Sequence, residues 1–86
     1  MSLEKRVAIV TGAGSPRGIG RTIALTLAKQ GADVVVCDVD LAGAEKVAGE
    51  IRAMKRNAIA VQVDVTKQQD VTELVRTALD RFGRID

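Results

Sequence analysis

Residues 11–20, TGAGSPRGIG, place four glycines in ten positions directly after the apolar run VAIV. That pattern can do one kind of chemistry well, the binding of a phosphate. An anion at the start of a helix needs backbone N–H groups aimed at it, the positive end of the helix dipole, and no side chain in between. Gly12 stands at the exit of the apolar run, where a tight turn is needed. Gly14 and Gly18 let the backbone approach a pyrophosphate, and Gly20 lets helix and strand pack closely. Asp38 follows 18 residues after Gly20, close to the spacing of a carboxylate that accepts hydrogen bonds from ribose hydroxyls. The competing explanation is structural: a glycine turn, and an Asp that starts the next helix.

Groups for proton transfer are scarce. The 86 residues include no His, Tyr or Trp, one Phe (Phe82) and two serines (Ser2 and Ser15). Histidine is the side chain that ordinarily titrates near neutral pH, and tyrosine is among its common partners in acid–base work. Lys29 and Lys67 fall in helical segments and read as surface charges. No residue is nominated as catalytic and none as a metal ligand.

The elements that must position these groups follow from periodicity. RVAIVT (6–11), DVVVCD (33–38) and AIAVQV (58–63) are short apolar runs rich in β-branched residues, as expected of parallel strands buried on both faces. From Gly18 the pattern turns helical, with Ile19, Ile23 and Leu27 four apart, Ala24 and Ala28 beside them, and Gly31 as a stop. Asp40 is placed to cap a second helix whose apolar face is Leu41, Ala44, Val47, Ala48, Ile51 and Met54, with Asn57 as its left-handed terminator. Thr66 and Gln69 have capping-box spacing. The third helix then shows Val71, Leu74, Val75, Ala78, Leu79 and Phe82 on one face and ends at Gly83. The order β-α-β-α-β-α specifies an α/β fold with a three-stranded parallel sheet and crossover helices.

Composition excludes several functions. Thirteen basic and eleven acidic residues give a net charge of +2, and the two signs are interleaved. Neither nucleic acid nor an anionic membrane is an expected partner. The single cysteine, Cys37, lies inside an apolar run and permits no intrachain disulfide, which suggests a cytoplasmic location. MSLEKR lacks the apolar core of a signal peptide.

With these residues in view, the chain resembles the short-chain dehydrogenase/reductase family over its whole length. VAIVTGAGSPRGIG is similar to the family's first strand and cofactor loop, whose pattern is T-G-x-x-x-G-x-G. Thr11 and Gly12 match its start, and Gly18, Ile19 and Gly20 match its end. VVVCDVD, with Asp38 and Val39, resembles the second strand. VQVDVT resembles the third, Asp64 and Val65 matching the pair that touches adenine, and DRFGRID resembles the segment before the fourth. In one respect the chain departs from the pattern. Five residues, Ala13–Arg17, separate Gly12 from Gly18 where the pattern has three, and Pro16 sits among them. The aims of Gly14, Ser15 and Arg17 within that longer loop are therefore open.

The resemblance implies about half of a doubly wound, Rossmann-like dinucleotide-binding fold. In such a fold residues 1–86 form the N-terminal half of the domain. It implies a nicotinamide dinucleotide and an alcohol or carbonyl substrate, a homo-oligomeric parent enzyme, and hydride transfer between the two ligands. The family's catalytic Asn, Ser and Tyr-x-x-x-Lys lie after its fourth strand, so they match nothing here. Asp38 favours NAD, because a carboxylate accepts from both ribose hydroxyls and repels a 2′-phosphate. Arg17 argues for NADP, since a basic residue before that glycine often marks NADP users. Asp38 holds the position that contacts the ribose directly, and the expectation is NAD. Three roles stay open for the chain: a piece of an oxidoreductase, a half-domain that binds nucleotide without catalysis, or an assembly module. In the half-domain case VAIVT becomes an open apolar edge, expected to pair with a second copy.

Overall fold

The computed structural model describes residues 6–12, 18–64 and 66–83. Its elements are β1 (Val7–Thr11), α1 (Ile19–Lys29), β2 (Asp33–Asp38), α2 (Leu41–Ala53), β3 (Ala58–Gln62) and α3 (Gln68–Phe82). The strands form one parallel sheet in the order β1-β2-β3. Val7 pairs with Asp33 and Thr11 with Cys37 across the first ladder, and Val34 pairs with Ala58 and Asp38 with Gln62 across the second. This register brings the C-terminal ends of all three strands to one rim.

β2 is the centre of the molecule, and its sequence shows why. Val34, Val35 and Val36 are fully buried, with alternate side chains on opposite faces of the sheet. Val34 and Val36 pack with Val10, Ala58 and the inner faces of α1 and α2 (Ala24, Ala28, Ala44, Val47, Ala48 and Ile51). Val35 and Cys37 pack with Val7, Val63 and the inner face of α3 (Leu74 and Ala78). The result is three layers, two helices over one face and one over the other. Full burial of each valine stabilises by roughly 1.5–3 kcal/mol.

α1 ends in a Schellman arrangement. Gly31, at φ 104°, donates to the Ala28 carbonyl (3.0 Å), and Ala32 donates to the Leu27 carbonyl (3.1 Å). α2 ends the same way with a lysine in the left-handed position. Lys55, at φ 63°, donates to the Arg52 carbonyl (2.9 Å), and Arg56 donates to that of Ile51 (3.3 Å). The expected terminator, Asn57, instead donates from Nδ2 to Asp33 Oδ1 at 3.1 Å and joins two strand starts. Asp40 caps α2 as expected, accepting from the Gly43 amide at 3.2 Å. The capping box at Thr66 is not formed. Lys67 is the N-cap of α3 and makes no side-chain cap bond, while the Thr66 hydroxyl turns back to Asp64.

Two expected apolar faces are only partly covered. On α1 the buried residues are Ala24 and Ala28, while Ile19 and Ile23 are 79% and 45% exposed. On α3 the buried residues are Leu74 and Ala78, while Val71, Val75 and Leu79 remain exposed. The bidentate pair of Arg21 and Glu50 ties α1 to α2, with Arg21 Nε donating to Glu50 Oε1 at 3.1 Å and Nη2 to Oε2.

Candidate functional site

The rim formed by the three strand ends holds a cleft of about 440 Å³, lined by Thr11, Gly12, Cys37, Asp38, Val39, Val63, Asp64 and Thr66. Open parallel sheets present their ligand crevices at this end. A larger hollow of about 570 Å³ runs along the first turns of α3 between Gln68, Gln69, Asp70, Thr72 and Glu73. It is walled by one helix's outward polar side chains and meets no strand end, so the rim cleft is the better site.

Each wall has a local cause. Gly12 leaves β1 at φ 66°, in the left-handed region that L side chains avoid, and turns the chain sharply at the cleft's edge. Gly18 is the N-cap of α1 in an extended conformation (φ −82°, ψ 155°). It has no side chain to cap the helix, and no acidic residue occupies the first turn. The positive end of the α1 dipole is thus not neutralised from within the helix. Ile19 and Gly20 form that first turn, Ile19 exposed and Gly20 partly buried.

The turn after β2 is held by a set of short bonds. The Asp38 carbonyl accepts from the Val63 amide at 2.9 Å. Asp38 Oδ1 accepts from the Asp40 amide at 3.1 Å, and the Val39 carbonyl accepts from Gln62 Nε2 at 3.0 Å. The Asp38 carboxylate is thereby fixed on the rim, and Val39, 61% exposed, is held beside it. Across the cleft, Asp64 Oδ1 accepts from both the Thr66 hydroxyl (2.6 Å) and the Thr66 amide (3.0 Å). These bonds favour the ionised carboxylate and hold Asp64 below its ordinary range. The Asp64 amide in turn donates to Asp70 Oδ2 at 2.9 Å, which anchors the rim to α3.

Cys37 is part of the wall. Its thiol is 1% exposed and donates to the Val10 carbonyl at 3.2 Å. Burial, with the nearby Asp38 charge second, raises its pKa to about 11. The reactive thiolate is therefore suppressed at neutral pH.

Of the residues singled out in the sequence, the structure brings Gly12, Asp38, Val39 and Asp64 to one cleft. Gly18, Ile19 and Gly20 stand apart from its lining, at the start of α1. Gly14, Ser15, Arg17 and Val65 lie outside the described residues. Cys37, Val63 and Thr66 line the cleft without having been nominated as site residues. The signal for them was positional. Aligning the three predicted strand ends puts Cys37 and Val63 on the rim beside Asp38 and Asp64.

The fit to a nucleotide's sugar and base can be judged from this geometry. Asp38 offers a fixed carboxylate to vicinal hydroxyls, and the exposed Val39 offers apolar surface for a flat ring. A Cβ built at Gly12 meets nothing within 4 Å, so the turn leaves open space above the backbone. No lysine or arginine lines the cleft among the described residues.

Known proteins resemble the chain in both sequence and fold. The chain is 38% identical over 86 residues to 7alpha-hydroxysteroid dehydrogenase of Escherichia coli, a match covering all of this chain and 33% of that protein. A solved 7alpha-hydroxysteroid dehydrogenase, complexed with NADH and 7-oxo glycochenodeoxycholic acid, superposes with a TM-score of 0.93 at 39% identity, covering 99% of this chain and 32% of the other. The 3-ketoacyl-(acyl-carrier-protein) reductase from Brucella melitensis, complexed with NADH, superposes with a TM-score of 0.88 at 49% identity, covering 99% and 33%. The chain spans about a third of the length of the curated relatives it matches. The three parallel strands and the three helices that alternate with them are those of a Rossmann fold. The family pattern described as short chain dehydrogenase matches residues 6–86, and the chain belongs to that family.

Proposed function

We propose that residues 1–86 are the N-terminal half of a dinucleotide-binding domain and hold a nicotinamide dinucleotide for an oxidoreductase. The reaction of the whole protein is hydride transfer between the nicotinamide and a small alcohol or carbonyl substrate. In this reading Gly12, Gly14, Ser15, Arg17, Gly18, Ile19 and Gly20 surround the pyrophosphate. Asp38 and Val39 hold the adenosine ribose, and Asp64 and Val65 border the adenine. The protein acts in the cytoplasm as a homo-oligomer; pairing through the β1 edge belongs to the half-domain reading alone.

The observation that carries the proposal is the Asp38 carboxylate, fixed at the end of β2 in the same cleft as the left-handed Gly12 turn. A carboxylate there accepts from both ribose hydroxyls and repels a 2′-phosphate. NAD is the preferred cofactor, with NADP the alternative through Arg17. A second reading, nucleotide binding without catalysis, is favoured by the absence of tyrosine and histidine from these 86 residues.

Calorimetric titration of NADH and NADPH tests the proposal. NADH is expected to bind more tightly. Asp38→Ala is expected to weaken NADH roughly tenfold, the loss of a charge-assisted hydrogen-bond pair, and to narrow the gap to NADPH. Tighter binding of NADPH by the wild-type chain overturns the NAD preference. Binding without turnover of alcohols or ketones by these residues alone assigns them the binding role only.

A further inference from the structure

Gln62 stands directly across the ladder from Asp38, its Cα partner at the end of β3. Its side chain is exposed at the rim, yet it does not point idly into solvent. Nε2 donates to the Val39 carbonyl at 3.0 Å. That carbonyl belongs to the turn carrying Asp38, and it lies one residue past the last main-chain bond of the ladder, Val63 N–H to Asp38 O at 2.9 Å. The Gln62 side chain thus adds one more rung to the parallel sheet beyond the point where the backbone can supply it.

We propose that Gln62 is a positioning residue for cofactor choice. It fixes the Val39 peptide and, through it, the Asp38 carboxylate that discriminates a ribose 2′-hydroxyl from a 2′-phosphate. The inference rests on the nucleotide-binding reading above. The turn has two independent ties to β3, one main-chain and one from Gln62, and an internal tie from the Asp40 amide to Asp38 Oδ1 at 3.1 Å. Without Gln62 the Val39–Asp40 peptide keeps only the bond from the Asp40 amide to Asp38 Oδ1, so it is held at one end instead of two and rotates more readily. Rotation of that peptide moves the Asp40 amide, the group that orients Asp38 Oδ1. Gln62 also lines a hollow with Val39, Asp64, Lys67 and Asp70 that adjoins the rim cleft at Val39 and Asp64. Its position therefore couples both walls of the proposed adenosine site without Gln62 itself lining the cleft.

The experiment uses the 86-residue chain with Gln62→Leu, Gln62→Glu and Gln62→Lys. Leu and Glu remove the donor, Glu at nearly constant shape, and Lys restores a donor of longer reach. Two readouts are taken, amide exchange at Asp40 by NMR without ligand, and titration with NAD+ and NADP+. Leu and Glu are expected to speed Asp40 exchange and to weaken NAD+ roughly fivefold, the effect of one lost hydrogen bond, while NADP+ changes less. Lys is expected to return Asp40 exchange to the wild-type rate. Any loss beyond that of Leu in the Glu variant reports the added charge. Unchanged Asp40 exchange in both Leu and Glu variants overturns the positioning role, as does equal weakening of NAD+ and NADP+. If the wild-type chain binds neither nucleotide, the nucleotide-binding reading falls, and with it the role in cofactor choice; Asp40 exchange still decides whether Gln62 sets the turn.

Discussion

Two residues at the foot of the molecule show how a local rule and a tertiary demand divide the work. Asn57 has the chemistry of a helix terminator, since asparagine tolerates the left-handed region, yet its side chain is recruited by Asp33. Lys55, two residues earlier, takes the left-handed position at φ 63°. The length of α2 decided this, because its last buried residue is Ile51 and the chain must turn within one further turn to start β3 at Ala58. A lysine in that conformation costs about 1 kcal/mol that a glycine does not. Lys55→Gly is therefore expected to stabilise the chain by about 1 kcal/mol, seen as a rise in Tm of roughly 4–8 °C. Asn57→Gly is expected to lower Tm, because it removes the bond to Asp33. Thermal melts followed by circular dichroism decide both. The turn at Gly12 and the place of Asp38 at a strand end were legible in the sequence because both are set by the backbone and by spacing. Thr66 was misread because a hydroxyl near a helix start can either accept from a helix N–H or donate to a nearby carboxylate, and here it donates to Asp64.

At the scale of elements, strands and helices were legible almost to their ends, since each alternates a short β-branched run with a 3.6-residue pattern. Which side of each helix is buried was less so. Periodicity groups Ile19 and Ile23 with Leu27, but α1 buries the small pair Ala24 and Ala28, which admits close approach to the sheet and to α2. Sequence spacing also gives no hint of the Arg21–Glu50 pair, which lies 29 residues apart and joins two helices over one face. Its hydrogen bonds, chiefly that from Arg21, hold Glu50 below the usual carboxylate range. A carboxylate with a depressed folded pKa contributes stability above its unfolded value, about 4.3, and loses it as pH falls through the folded value. Asp64 acts in the same direction through Thr66. Tm is thus expected to fall as pH drops below about 4.3, and Glu50→Gln is expected to lower Tm at pH 7 while flattening the acid limb. A Glu50→Gln curve parallel to wild type from pH 7 to pH 3 contradicts this origin.

For the molecule as a whole, β2 is covered on both faces and paired on both edges, while β1 has a partner on one edge only among the described residues. Val7 and Val10 are already buried (2% and 7% exposed), while Ala8 and Ile9 are partly buried. What the edge offers is backbone groups with no neighbouring strand among the described residues; Ile23 of α1 and Val71, Val75 and Leu79 of α3 are exposed apolar side chains. Such an edge recruits strands. The 86-residue chain is expected to self-associate with rising concentration, and sedimentation equilibrium checks this. A monomer at all concentrations removes the edge-pairing reading. The apolar character of β1 was visible in its own residues. Its place at an edge of these three strands was legible only through the strand order that the family resemblance implies, because order is a property of crossovers and not of any one segment.

Gly12 carries a lesson of a different kind. A methyl group built there would touch nothing within 4 Å, so room is not scarce at the cleft's edge. What is scarce is the permitted sense of one torsion, held at +66°. The requirement at this position is one of handedness. It applies to the empty chain and the loaded one alike, so an L side chain at position 12 acts on folding before it acts on anything the cleft receives.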